Sequence, residues 1–180
     1  MIKFLSFFVY QKDFRKIVDK SSKKLYTTIV NIKNIKEKIM IKVLSLFSGI
    51  GAFEKALKNI GVDYELVNYC EIDKFASKSY SLIHHVDESK NLQDVTKVDT
   101  SKLPNDIDLI TYGFPCQDIS VVGKGRGFKD EQGNTTRSGL FFEALRIIED
   151  TKPKIAIAEN VKALTGKKFE KEFQTVLEFS

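Results

Sequence analysis

Apolar residues along this chain gather into short blocks, separated by stretches with helical spacing. Ile41-Lys42-Val43-Leu44-Ser45-Leu46-Phe47 is nearly continuous and predicts a buried strand. Ser48-Gly49-Ile50-Gly51 turns out of it into a helix over residues 52–60, stopped by Gly61. Tyr64-Glu65-Leu66-Val67-Asn68-Tyr69-Cys70 predicts a second strand, ending at Glu71-Ile72-Asp73. Asp73 is placed to cap a helix from Lys74 that finishes at His84 and His85. Asp106-Ile107-Asp108-Leu109-Ile110-Thr111-Tyr112 reads as another strand. Residues 138–149 form an amphipathic stripe with Leu140 and Phe141 on its core side. Lys154-Ile155-Ala156-Ile157-Ala158 is an apolar strand begun after Pro153, and a further helix starts at Lys167. This alternation predicts an α/β fold, a doubly wound and mostly parallel sheet with helices on both faces. Such sheets bind ligands beyond the carboxyl ends of their strands, where Phe47, Glu71, Cys116 and Glu159 all fall.

The chemistry concentrates at those ends. Gly113-Phe114-Pro115-Cys116-Gln117 follows a strand directly, so a Gly and a Pro set a sharp turn in front of Cys116. A cysteine held there can act as a nucleophile once its thiolate is favoured. The strand, Gly-x-Gly turn and helix around Gly49 and Gly51 make a nucleotide-type cradle. Glu54 stands where a dinucleotide fingerprint needs its third glycine, and an acid there suits a ligand with an amino-acid end and no phosphates. Glu71, at the tip of the second strand and twenty residues after Gly51, is placed to take two ribose hydroxyls. Glu159-Asn160-Val161 puts a carboxylate at another strand end, beside Cys116 if the two strands are neighbours. Residues 117–137 hold four glycines and the cations Lys124, Arg126, Lys129 and Arg137 with little apolar pattern, as in a hinged loop that touches phosphates. No Cys or His spacing points to zinc, and His84 and His85 read as a solvated helix end.

Phe47-Ser48-Gly49-Ile50-Gly51, Glu71-Ile72-Asp73, Gly113-Phe114-Pro115-Cys116-Gln117 and Glu159-Asn160-Val161 together resemble, in order and spacing, the motifs of the DNA (cytosine-5) methyltransferase family. The likeness runs from about Ile41 to about Leu164. It implies a Rossmann-like methyltransferase fold, S-adenosylmethionine as methyl donor, and a cytosine flipped out of double-stranded DNA as acceptor. Cys116 would attack carbon 6 and Glu159 would hold or protonate ring nitrogen 3. Phe47, Gly49, Gly51, Glu71, Ile72, Asp94 and Pro115 would contact the cofactor, and Gln117, Ser120 and Arg137 the nucleic acid. A transfer-RNA cytosine methyltransferase shares the Pro-Cys-Gln and Glu-Asn-Val pattern, and an inactive cofactor-binding remnant would keep it too. The family continues with a Gln-x-Arg-x-Arg motif, a target recognition domain and a late Asn-Val-rich segment. None stands here, which implies an incomplete fold with an uncovered sheet edge, and activity that depends on a complementary C-terminal half.

Charge changes one part of this picture. The chain carries +5, but residues 1–39 hold nine Lys, one Arg, two Asp and one Glu, or +7. Subtracting +7 from +5 leaves −2 for residues 40–180, so the basicity belongs to the first 39 residues and not to the catalytic part. That extension holds none of the ten Gly or three Pro, and Met40 reads as a second start. Two domains are therefore expected: a basic extension, 1–39, and the N-terminal part of a methyltransferase domain, 40–180. Within the extension, residues 14–39 alternate Lys with Ile, Val and Leu as in a basic amphipathic helix. The run Phe4-Leu5-Ser6-Phe7-Phe8-Val9-Tyr10 is too short to span a membrane. Two cysteines with no paired framework fit a reducing cytoplasm.

Overall fold

The computed structural model describes residues 5–11, 40–116, 127–128, 132–133 and 136–178. Its elements are β1 (Leu5–Gln11), β2 (Ile41–Leu46), α1 (Ala52–Asn59), β3 (Tyr64–Cys70), α2 (Lys74–His84), β4 (Leu109–Tyr112), α3 (Phe141–Thr151), β5 (Ile155–Val161) and α4 (Glu170–Glu178). They form a five-stranded sheet in the order β1-β5-β4-β2-β3. The four strands from β2 to β5 run parallel, and β1 joins β5 antiparallel.

The parallel strands are apolar on both faces, as a sheet covered on both sides must be. Successive residues feed opposite cores. Leu44, Leu46, Ile110, Tyr112, Ala156 and Ala158 face α3 and α4 in the larger cluster, with Phe141, Ala144, Ile147 and Val176. Val43, Leu109 and Ile157 face α1, through Leu57. Leu66, Tyr69 and Tyr80 pack α2 on the same side.

Local chemistry sets the helix ends. α1 stops where Gly61 takes a φ of +68°, with Gly61 N–H donating to Lys58 O and Val62 N–H to Leu57 O. Asp73 caps α2, accepting from Phe75 N at 2.9 Å and Ala76 N at 2.8 Å. Asp87, Asp94 and Asp99 each accept from the backbone N–H two residues on and start three short 3-10 turns. Among the described residues, one isolated parallel bridge, Tyr69 to Asn91, ties this stretch to β3.

Three expectations change here. β5 continues through Val161, so Glu159 and Asn160 lie inside a strand and not just past it. The outer edge of β5 is covered, because Leu5–Gln11 pairs with it over seven positions, Phe7 opposite Glu159. The apolar run near the amino end supplies that strand, and the amphipathic helix expected over residues 14–39 lies outside the described residues. His84 is not a solvated helix end: it is buried, at 6% exposure, because α2 lays its last turn against the glycine turn.

Removing the α2 cap gives a direct check on this local reading. Asp73→Ala leaves two amide donors without their acceptor and should cost about 1 kcal/mol of stability by urea unfolding. An unchanged midpoint would contradict the cap.

Candidate active site

Parallel register brings the motifs into one row. Leu46 pairs with Cys70 on one side and with Tyr112 on the other, and Tyr112 pairs with Ala158. The next residue along each strand is Phe47, Glu71, Gly113 and Glu159. Motifs spread over more than a hundred residues of sequence therefore meet side by side at the carboxyl edge of the parallel strands, with β5 alone running on through Val161.

On the cofactor side the chain bends tightly. Phe47, Gly49 and Gly51 all have left-handed backbone, with φ of +53°, +55° and +83°. A Cβ at Gly49 would meet nothing within 4 Å, so that turn has an open face. One at Gly51 would strike the His84 ring and lie 2.9 Å from Tyr80. Glu71 ties this turn to β3. Its Oε2 accepts from Gly49 N at 2.8 Å and its Oε1 from Asp73 N at 2.8 Å. Each carboxylate oxygen has a second lone pair, so the half-buried Glu71 keeps acceptor capacity toward the open side. Ile72 beside it is 72% exposed, an apolar surface unusual for a strand end. Phe47 is half-buried.

Asp94 has a definite local job. It accepts from Thr96 Oγ1 at 2.7 Å and Thr96 N at 3.1 Å, and pairs with Lys97 at 3.5 Å. These contacts, the Thr96 hydroxyl first, hold its carboxyl below the usual range. It remains partly exposed.

On the nucleophile side, Phe114 anchors the turn. Its ring is buried at 2% exposure, 5.1 Å from Phe141 and 6.2 Å from Phe128. Asn160, itself buried, donates from Nδ2 to Phe114 O at 3.0 Å and accepts Val161 N at 2.9 Å. A Cβ at Gly113 would lie 3.0 Å from Glu159 Oε2, so a larger residue would push the carboxylate from its place against the turn. The Gly113–Cys116 turn and the Glu159-Asn160 strand end are thus locked together. Pro115 and Cys116 are half-buried.

The two cysteines differ in kind. Cys70 is 2% exposed, and burial, then the nearby Glu71 and Asp94 charges, push its thiol up to about 12. It donates to Gln93 O at 3.0 Å and is a core residue. Glu159 is raised too, by desolvation, which favours a carboxyl that keeps its proton longer than usual.

Of the expected nucleic-acid contacts, Gln117 and Ser120 lie outside the described residues. Arg137 is exposed at the end of the loop, just before α3. Sequence reasoning missed Asn160 as the clamp on the Phe114 carbonyl, and it missed Phe128. That ring stacks on Phe141 at 5.3 Å, while Thr136 N donates to Phe128 O at 3.0 Å. A lone aromatic in a glycine-rich, charged segment was the available signal. A cavity of about 410 Å³ opens near the start of β3, lined by Lys58, Val62, Tyr64, His84 and His85. Among the described residues no group of three His, Cys, Asp or Glu could hold a metal, and no helix is long and apolar enough to cross a membrane.

The fold is part of an α/β methyltransferase fold. The fold is similar to the crystal structure of the Schizosaccharomyces pombe Dnmt2 methyltransferase, with a TM-score of 0.55 at 23% identity, covering 78% of this chain and 40% of that one. Residues 41–179 match the family described as C-5 cytosine-specific DNA methylase, and the chain belongs to that family. It is 52% identical over 124 residues to the orphan methyltransferase M.SPRI of Bacillus phage SPR, covering 69% of this chain and 27% of that protein. It is 36% identical over 134 residues to the type II methyltransferase M.HhaI of Haemophilus parahaemolyticus, covering 74% of this chain and 37% of the relative. The chain thus spans between about a quarter and a little over a third of the curated relatives named here, and corresponds to their N-terminal portion.

Two outcomes follow from the electrostatics and burial. The raised Glu159 carboxyl makes the folded state hold a proton that the unfolded state gives up earlier. Stability should therefore fall as pH rises through the window from the unfolded carboxyl value to the raised folded one. Glu159→Gln should escape this loss, so its stability relative to the parent should climb with pH across that window and then level off. Urea unfolding from pH 4 to 8 reads this, and a flat or inverted difference would refute it. Separately, iodoacetamide should label Cys116 in the native protein and leave Cys70 untouched until denaturant is added, as peptide mass mapping can report.

Proposed function

We propose that residues 40–180 carry the methyl-transfer chemistry of a cytosine-5 DNA methyltransferase, working with the remainder of the family's length whether that lies on the same or on another chain. The observation that carries this is the register row, which sets Phe47, Glu71, Gly113 and Glu159 next to one another at the sheet edge. In this reading the Cys116 turn, the raised Glu159 carboxyl and the open glycine turn serve one reaction at that edge.

The residues fit S-adenosylmethionine, the methyl donor of the family. The Gly49 turn is open where a side chain would intrude, Glu71 offers spare lone pairs for ribose hydroxyls, and the exposed Ile72 offers an apolar face. When bound, S-adenosylmethionine supplies an electrophilic methyl group. Phe47, Gly49, Gly51 and Pro115 would shape its seat, with Asp94 at the rim.

Carbon 5 of cytosine is a poor nucleophile, and covalent catalysis divides the difficulty. The Cys116 thiolate adds to carbon 6, and the electrons of the 5,6 double bond move toward ring nitrogen 3, which takes a proton from Glu159. Returning electron density makes carbon 5 enamine-like, and it takes the methyl group. Loss of the carbon 5 proton to a base restores the double bond, expels the Cys116 thiolate and returns the proton of nitrogen 3 to Glu159. The base must leave the stack for Cys116 to reach it. Gln117, Ser120 and Arg137 are assigned to nucleic-acid contact around that opening.

The test is transfer of labelled methyl groups to duplex DNA by the chain mixed with a polypeptide carrying the remaining length of a curated relative. Transfer should depend on both polypeptides and fall to background with Cys116→Ala. Appreciable transfer by that variant would remove Cys116 as the nucleophile. Transfer to transfer RNA but not to duplex DNA would replace the DNA substrate with RNA.

A further inference from the structure

Three side chains bring buried polar atoms together: the Glu54 carboxyl beside the Tyr80 phenol, and His84, whose Nδ1 meets no partner among the described residues. All belong to one cluster under the glycine turn. Tyr80 stacks on Tyr69 with ring centroids 4.1 Å apart, and the His84 ring is tilted against Tyr80 at 4.7 Å. Glu54 lies in the first turn of α1, and its charge reaches the Tyr80 and Tyr64 phenols. Natural folds leave few buried polar groups unpaired, so the burial of His84 calls for a physical reason.

The other His84 nitrogen has a definite partner. Nε2 lies 3.0 Å from Ile50 O. A carbonyl only accepts, so Nε2 carries the proton and donates. Ile50 sits between Gly49 and Gly51, both left-handed, and its side chain is 58% exposed, so it has no apolar anchor of its own. Glu71 holds Gly49 N–H from the ligand side, and His84 holds the Ile50 carbonyl from beneath. The His84 ring also fills the space where a Gly51 side chain would stand.

We infer that His84 is a positioning residue for the cofactor turn: its Nε2–H fixes the Ile50 carbonyl and its ring backs Gly51, so the turn is shaped before any ligand arrives. The value of His84 for ligand binding rests on the cofactor reading given above, while its hold on the turn does not. Pre-forming the turn lowers the ordering cost of binding.

Amide hydrogen exchange at residues 48–52 of the full 180-residue chain without ligand, paired with S-adenosylmethionine titration by calorimetry, tests this. His84→Gln puts a donor nitrogen three bonds from Cβ, where Nε2 stood. His84→Asn places it two bonds away and His84→Leu removes it. Losing the donor should speed exchange at 48–52 and weaken titrated binding by about three- to tenfold each, the size expected for one hydrogen bond. The Gln variant should recover both, and the Asn variant neither. Should Leu fail to fold, the Gln–Asn comparison still decides. Equal exchange in Gln, Asn and parent chains would overturn the inference. A parent chain that binds no S-adenosylmethionine, yet shows the Gln–Asn difference in exchange, would overturn the cofactor reading and leave the role of His84 standing.

Discussion

Parallel pairing between β2 and its two neighbours, and between β4 and β5, is the constraint from which the rest of this molecule follows. Parallel register is rigid because each strand is buried on both faces and a one-residue slip would send every side chain to the wrong core. Val43 and Leu44 feed opposite clusters, as do Leu109 and Ile110, and Ala156 and Ile157. With register set this way, and a one-residue irregularity in the β2–β3 pairing between Val43 and Leu44, Leu46, Cys70, Tyr112 and Ala158 come level, while β5 runs on through Val161. The four separate motifs then become neighbours.

Fine positioning is left to a few polar side chains that cross between elements. Glu71 joins the glycine turn to β3, Asn160 joins the Gly113–Cys116 turn to β5, and His84 joins α2 to Ile50. Each bonds to backbone, so each controls the path of the chain more than the placement of another side chain. Glycine is needed opposite one of them, at Gly51 against His84, and Gly113 leaves room for the nearby Glu159 carboxyl. Close packing of this kind keeps a catalytic constellation within the narrow geometric tolerance that such sites need.

The edge strand β1 adds a coupling outside the family match. Leu5–Gln11 runs antiparallel along β5 and sets Phe7 opposite Glu159, so the candidate catalytic carboxyl lies on a strand paired on both sides. An edge strand left unpaired offers a row of free backbone groups to other chains. Here those groups are taken by the chain itself, through a segment outside the matched residues 41–179.

Much of this was legible in the residues alone. Apolar runs marked β2, β3 and the later part of β4, and Asp73 and Gly61 marked helix ends, because backbone geometry and capping depend on neighbours in sequence. Gly-Phe-Pro-Cys-Gln and Glu-Asn-Val were readable because their chemistry is carried by short contiguous stretches. What stayed hidden involves contacts across long sequence separations. His84 to Ile50 spans 34 residues and Asn160 to Phe114 spans 46, and no local pattern reveals them. The seven-residue pairing of β1 with β5 was hidden for the same reason, as was the burial of Phe128 within a charged loop. Composition and spacing thus determined which elements form and which chemistry they carry. Only tertiary packing decided which carbonyl each buried polar group holds, because burial forces those groups to find partners wherever the fold brings one within reach.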